Sequence, residues 1–308
     1  MMEQLPQGEW LDEQAQIEPE QEFVDSEVAI ANTKEDRKKN EEEMREIITS
    51  VVKIKPKALD DEQKAENERA EALSAEAEKT LAGQSSLAID EKINRELMLE
   101  SNAVIETVTG NGPGHYYDHN PYHGWGGVYR HNEGGLTTGS AGFDLAANKM
   151  FPYAYARGDG SGITDDNDVN TWTKLFFAFW PRRYGNVRVY VPYIVHGWYQ
   201  IYSNDKWYNS KEATVDLDIQ VQLHQNYWGG KRKADVFRLH DDNINRSGRI
   251  DRSGAIYSGS IPVGVNKWVI AEVAVRARVE TEGSGSTARL DFRNPDFVRI
   301  PWVRFDFS

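Results

Sequence analysis

From Val215 to His224 the chain alternates without a break. Val215, Leu217, Ile219, Val221 and Leu223 are apolar, and Asp216, Asp218, Gln220, Gln222 and His224 interleave with them. A period of two sends successive side chains to opposite faces, so this segment is a strand with one dry and one wet side. Val187, Val189, Val191, Tyr193 and Val195 repeat the pattern against Arg188, Tyr190 and His196. So do Val273, Val275, Ala277 and Val279 against Arg276, Arg278 and Glu280. Val303, Phe305 and Phe307 close the chain in the same way, around Arg304 and Asp306. The run from Trp172 to Trp180 is apolar on both faces and belongs in the middle of a sheet. Shorter strands are expected near 234–239 and 255–263, and Gly283–Ser286 reads as a hairpin loop leading into Ala288, Leu290 and Phe292. Pro192 lies inside a strand pattern, which predicts an edge strand or a bulge. With no helical period between these strands, the expected fold is mostly β: an antiparallel, jelly-roll-like β-sandwich over 151–308.

That pattern stops on the N-terminal side. The first 105 residues hold two of the 34 aromatics, Trp10 and Phe23, and two of the 25 glycines. They carry 27 acidic against 13 basic side chains, while the rest of the chain has 22 against 23 and is near neutral. So polar a segment buries no core of its own, and residues 1–108 read as an acidic, partly helical or disordered arm. Residues 1–32, Glu/Gln-rich with Pro6 and Pro19, show no period and are expected to be disordered. Thr33 opens a helix whose apolar stripe is Met44, Ile47, Ile48, Val51 and Val52, and Pro56 ends it. Asp60 with Gln63 caps a second helix to Ala82, and Ile89, Ile93, Leu97 and Val104 form a third short stripe. None sustains the heptads of a coiled coil.

Residues 109–150 form a Gly/Tyr/His-rich connector expected to pack on the β domain. Four of the seven histidines lie here: His115, His119, His123 and His131. The first three are four apart, yet Gly114, Asn120, Pro121 and Gly124 preclude the helix that would align them. A loop gathering His115, Asp118, His119 and His123 around a divalent metal is the candidate metal site, with aromatic and imidazole packing as the alternative. Two loops invite a calcium test: Asp159, Asp165, Asp166 and Asp168, and the stretch from Asn243 to Gly254. The second carries too little charge for calcium and reads as a polar turn.

Trp198, Tyr199, Tyr202, Trp207 and Tyr208 surround the turn at 203–206. Five large rings beside Asn, Asp and Lys exceed what one hairpin buries, and they form the candidate ligand surface, for a sugar face or a protein hot spot. Arg182, Arg183, Lys231, Arg232 and Lys233 are the candidate docking site for the acidic arm. Asp216 and Asp218, side by side on a wet strand face, are the one carboxylate pair with hydrolase potential.

The sequence excludes several classes. It has no cysteine, hence no disulfide framework or thiol nucleophile. A net charge of −13 argues against nucleic acid as main partner. No apolar run spans a bilayer, and the N-terminus has neither the positive start nor the apolar stretch of a secretory signal, which places the chain in the cytoplasm when made, or in a released particle. The GxSxG, HExxH and P-loop patterns are absent. The leading expectation is a non-enzymatic structural or attachment protein of a large oligomeric assembly, virion- or fibre-like, whose arm contacts its own subunits or another protein of that assembly. The alternatives are a soluble glycan-binding, lectin-like module and a metal- or carboxylate-dependent hydrolase on a jelly-roll scaffold.

Overall fold

The computed structural model describes residues 5–6, 8–50, 56–83, 109–110, 113–158, 166–204, 211–283 and 285–308. Two helices come first, α1 (Gly8–Ser50) and α2 (Pro56–Gly83). The strands follow in chain order: β1 (Thr109–Gly110), β2 (Gly114–Asp118), β3 (His123–Asn132), β4 (Gly135–Ser140), β5 (Phe143–Asp144) and β6 (Lys149–Met150). Next are β7 (Tyr153–Gly158), β8 (Asp166–Pro181), β9 (Gly185–Asn204), β10 (Ala213–His224), β11 (Trp228–Asp241) and β12 (Asn243–Tyr257). Last come β13 (Ile261–Val263), β14 (Val269–Glu282), β15 (Thr287–Asp291), β16 (Phe297–Arg299) and β17 (Val303–Phe307).

They form a β-sandwich of two sheets. The six-stranded sheet runs β1–β8–β14–β10–β11, with β3 also pairing along β8. Its pairs are antiparallel apart from the short β1–β8 contact. The eleven-stranded sheet is organised around β9, whose partners include β12, β13, β15, β16 and β17. The alternating apolar residues meet between the sheets: Val215, Leu217, Ile219, Val221 and Leu223 of β10 and Val273, Val275, Ala277 and Val279 of β14 share one buried cluster with Val187, Val189, Val191 and Phe305. Phe179 sits at its centre against Tyr116, Phe305 and Phe307, with ring centroids 5.1, 5.2 and 5.8 Å away. The apolar β8 run is central, as its two-sided hydrophobicity requires.

Several expectations are corrected. Pro192 is not on an edge strand, because β9 is paired on both sides. Its missing N–H is accommodated where β17 pairing ends at Tyr190 and β16 pairing begins at Ile194. The loop from Gly283 to Ser286 makes no hairpin: β14 and β15 lie in different sheets, so the loop crosses the sandwich, with Gly283 and Gly285 at φ 76° and 80°. The stretch from Asn243 to Gly254 is no polar turn but the body of β12, paired with β9 throughout. Its alternate residues Ile244, Ile250 and Ile256 supply the buried side.

Most of residues 1–32 is helical rather than disordered. α1 begins at Gly8, with Glu9 in its first turn, and passes through Pro19 without a break. Leu11, Ala15 and Pro19 are buried at four-residue spacing, against the sandwich. A stripe of Leu, Ala, Pro and then Glu22 and Phe23 is too small and too polar to register as a hydrophobic period. α2 starts at Pro56, a residue suited to a first helical turn, ahead of the expected cap at Asp60. The third stripe, Ile89 to Val104, lies outside the described residues. Among the described residues no helix is long and apolar enough to cross a membrane.

Candidate functional site

The wet positions of β3, β8, β14 and β10 share the outer face of the six-stranded sheet. The register sets Tyr129 opposite Asn170, Trp125 opposite Lys174, Trp172 opposite Arg276 and Asp218 opposite Arg276 on its other side. α1 lies across this face. Leu11 and Ala15 pack with Phe176, Ala178 and Ile270, flanked by Trp10, Tyr122, Trp125, Trp228 and Trp268. Polar contacts then follow along the helix. Asp12 Oδ1 is 2.8 Å from His123 Nε2, Trp228 Nε1 donates to Gln14 at 3.1 Å, and Glu18 pairs with Lys231. Glu22 accepts from Arg276 and, at 3.2 Å, from Asn170 Nδ2. Glu27 meets His131, and Phe23 packs on Tyr129 in a tilted contact with ring centroids 5.7 Å apart.

Beneath the helix lies a buried charge network. Arg276 reaches Asp218 at 2.6 Å and Asp216 at 3.5 Å, and Lys233 lies 3.3 Å from Asp218. Burial opposes the Arg276 charge, but Asp218, Glu22 and Asp216 more than restore it, so its pKa is raised. Burial also raises Asp216. Lys174 and Glu272 form a second buried pair at 3.1 Å, with Gln222 donating to Glu272 at 2.9 Å, and burial again raises the Glu272 carboxyl. Trp172 lies under both cations, 5.5 Å from Lys174 Nζ and 5.8 Å from the Arg276 guanidinium. The Asp216–Asp218 pair is therefore a buried counter-charge to Arg276 rather than an open two-carboxylate site.

Where α1 passes Glu22 it leaves a cleft of about 420 Å³. Glu22, Phe23, Ser26 and Ala29 line one side, and Tyr129, His131, Asp168, Asn170, Arg278 and Glu280 the other. Two aromatic rings thus face a rim of amide, imidazole, guanidinium and carboxylate groups. Burial, opposed by Arg278 at 3.1 Å, pushes Asp168 up to about 6. Burial and the nearby Glu20 push Tyr129 up to about 12, so its hydroxyl stays protonated over the physiological range. Asn170 Oδ1 is buried without a hydrogen-bond partner among the described residues. A smaller cleft of about 300 Å³ at the start of α1 is lined by Pro6, Trp10, His224, Gln225, Lys267, Trp268 and Ile270.

The sequence-derived candidates fall elsewhere in part. Trp198 and Tyr202 are 3% exposed and offer no open face, while Tyr199 is half-buried and packs on Phe237 at 4.7 Å. They belong to β9, a central strand, where rings are needed for packing. Tyr202 does meet the arm: its hydroxyl donates to Glu66 of α2 at 3.0 Å, and Asn204 Nδ2 adds a bond at 3.2 Å. Trp207 and Tyr208 lie outside the described residues. The proposed metal ligands diverge. His115 pairs with Asp306 at 2.7 Å, and Asp118 accepts from Asn120 and Ala178 backbone N–H groups. His123 faces Asp12, and His119 offers its carbonyl to Asn148. Among the described residues no three His, Asp or Glu side chains are grouped to hold a metal ion. Asp159 and Asp165 lie outside the described residues. Of the basic cluster, Lys231 contacts the arm, Lys233 turns to Asp218 and Asp235, and no contact joins Arg182, Arg183 or Arg232 to an arm carboxylate among the described residues. Arg276, Asn170, His123 and His131, none assigned to docking from sequence, hold much of α1. For Arg276 the signal was its wet position in an alternating strand, which does not say what it meets.

No known protein family matches the chain, and no curated protein matches it. Among solved structures it is similar to TmCBM61 in complex with β-1,4-galactotriose, at 11% identity over 56% of this chain and 88% of the other, TM-score 0.16. It is also similar to a carbohydrate-binding module of the β-sandwich superfamily, at 10% identity over 57% and 56%, TM-score 0.17. A third is the family 11 module of a Clostridium thermocellum cellulosomal cellulase, at 9% identity over 64% and 97%, TM-score 0.15. At these TM-scores the likeness carries no functional weight.

Proposed function

We propose that this chain is a non-catalytic, glycan-binding β-sandwich module whose ligand enters the cleft between α1 and the outer sheet face. The observation that carries the reading is the cleft's chemistry. Tyr129 and Phe23 supply flat apolar faces, and Asn170, His131, Arg278, Asp168 and Glu280 surround them with hydrogen-bonding groups. Sugars present an apolar ring face edged by hydroxyls, which is the surface such a pocket complements. The Asn170 side chain lines the cleft, and its buried Oδ1 has no hydrogen-bond partner among the described residues. The test is a panel of soluble β-1,4-linked polysaccharides and their trisaccharides, followed by calorimetry. Tyr129→Ala and Asn170→Ala are each expected to weaken a retained glycan about tenfold, while thermal unfolding stays within a few degrees. No retention of any glycan by the intact protein overturns the reading.

A second reading, an arm that joins subunits of an assembly, is favoured by the solvent side of α1. Ile17, Val24 and Val28 are 57%, 52% and 54% exposed and, seven and four apart, form one apolar stripe. Light scattering of the full-length chain across a concentration series tests it. A monomer at every concentration removes this reading and leaves the first untouched.

A further inference from the structure

We infer that the glycan surface of the cleft continues under the N-terminal turns of α1, and that residues 9–19 are its resident occupant, displaced by an extended polysaccharide but not by a short oligosaccharide, while Glu22, Phe23, Ser26 and Ala29 stay as the cleft wall. This inference rests on the glycan reading of the cleft and adds the size class of the ligand and a competitor built into the chain. The cleft has no sheet boundary at Glu22, because its far wall is the helix itself. Past that wall β8 and β14 carry Trp172, Lys174 and Glu272, and the neighbouring β10 carries Gln222, again an aromatic ring among hydrogen-bonding groups.

α1 covers this surface without completing it. Trp172 Nε1, Glu272 Oε2 and Asp216 Oδ1 are buried and have no hydrogen-bond partner among the described residues. A helix whose own N–H and C=O groups are internally bonded offers such atoms only side-chain tips, whereas a glycan offers a hydroxyl at nearly every ring carbon. These first turns are also more lightly held than the stretch at Glu22, which Arg276 and Asn170 hold. Leu11, Ala15 and Pro19 are their buried stripe, and the Asp12 and Glu18 carboxylates of their ion pairs are 49% and 29% exposed. Partly exposed pairs of this kind stabilise weakly. The sandwich keeps its own core between the sheets when α1 leaves. Binding a long chain in place of residues 9–19 therefore costs the contacts of those turns rather than the fold.

The chain has no cysteine, so Glu18→Cys with Lys231→Cys gives a unique thiol pair across this contact in the full-length protein. Joining them with a short bis-maleimide tethers α1 to β11. The probes are β-1,4-galactan, or whichever polymer the panel selects, and its trisaccharide. Tethering is expected to weaken the polymer at least about tenfold relative to the untethered double variant, and to leave the trisaccharide within about twofold. In the untethered protein the polymer, and not the trisaccharide, accelerates hydrogen exchange over residues 9–19. Equal polymer binding with and without the tether, or trisaccharide binding without any polymer binding, overturns the inference and leaves the cleft reading standing. Failure of the untethered protein to bind either probe overturns the cleft reading itself.

Discussion

On β10 the residues from Val215 to Leu223 alternate between two surfaces. Val215, Leu217, Ile219, Val221 and Leu223 are at most 1% exposed between the sheets. Asp216, Asp218 and Gln220, pointing the other way, are nearly as buried, at 7%, 0% and 6%. The inner face is dry because strands from both sheets interdigitate over it. The outer face is shielded by side-chain charge pairing and by a helix that arrives from more than 180 residues earlier in the chain. Burial alone therefore does not distinguish them; what covers each face does. Apolar burial of the inner kind is non-directional and holds the fold, about 25 cal/mol per Å². A buried ionic face gains little in stability over an apolar one, and it is the side that retains specific chemistry.

The comparison breaks most visibly at Phe179. Phe179→Ala removes the ring that joins Tyr116, Phe305 and Phe307, and it is expected to cost about 3–5 kcal/mol in urea denaturation. On the outer face, Arg276→Met leaves Asp218, Asp216 and Glu22 without their shared cation, at a cost of about 3 kcal/mol. Adding Asp218→Asn to that variant is expected to recover part of the loss, which a packing defect would not allow. Leu11→Ala is expected to cost about 2 kcal/mol, but in α1 docking alone. Hydrogen exchange over residues 9–27 then rises while the denaturation midpoint of the sandwich stays fixed.

Asp168 is expected to alter a slope. Its pKa is about 6 in the fold against about 3.9 unfolded, so it favours the folded state fully below about pH 4, and that contribution is lost as pH rises through 6. Asp168→Asn is expected to flatten stability over this window, measured by thermal unfolding from pH 4 to 7. Ile17→Ser, on the solvent side of α1, is expected to change stability by less than about 0.5 kcal/mol; a larger loss would mean that a partner covers it.

The inner face was legible in the sequence because apolar alternation is a periodic signal that depends on no distant residue. The same alternation named the wet residues, including Asp218 and Arg276, but not what they meet. Their partner Glu22 lies in a segment whose docked stripe, Leu11, Ala15 and Pro19, has almost no hydrophobic amplitude. The cleft was invisible for the same reason, since half of its wall is α1. For Trp198 and Tyr202 composition counts rings and not strand order. Trp198 and Tyr202 are consumed by packing in a central strand, while Tyr129, in a glycine-rich connector, faces the cleft.

The central claim is that one face of the six-stranded sheet holds the fold and the other carries a removable cover. Residue-resolved native-state hydrogen exchange on the full-length chain tests it most directly. The account predicts that amides of residues 9–27 exchange through a local opening of lower free energy than the core strands, insensitive to low denaturant, while residues 172–180 and 215–223 exchange only on global unfolding. If residues 9–27 and those strands instead share one exchange free energy with the same denaturant dependence, α1 is an integral layer of the fold and the account is wrong.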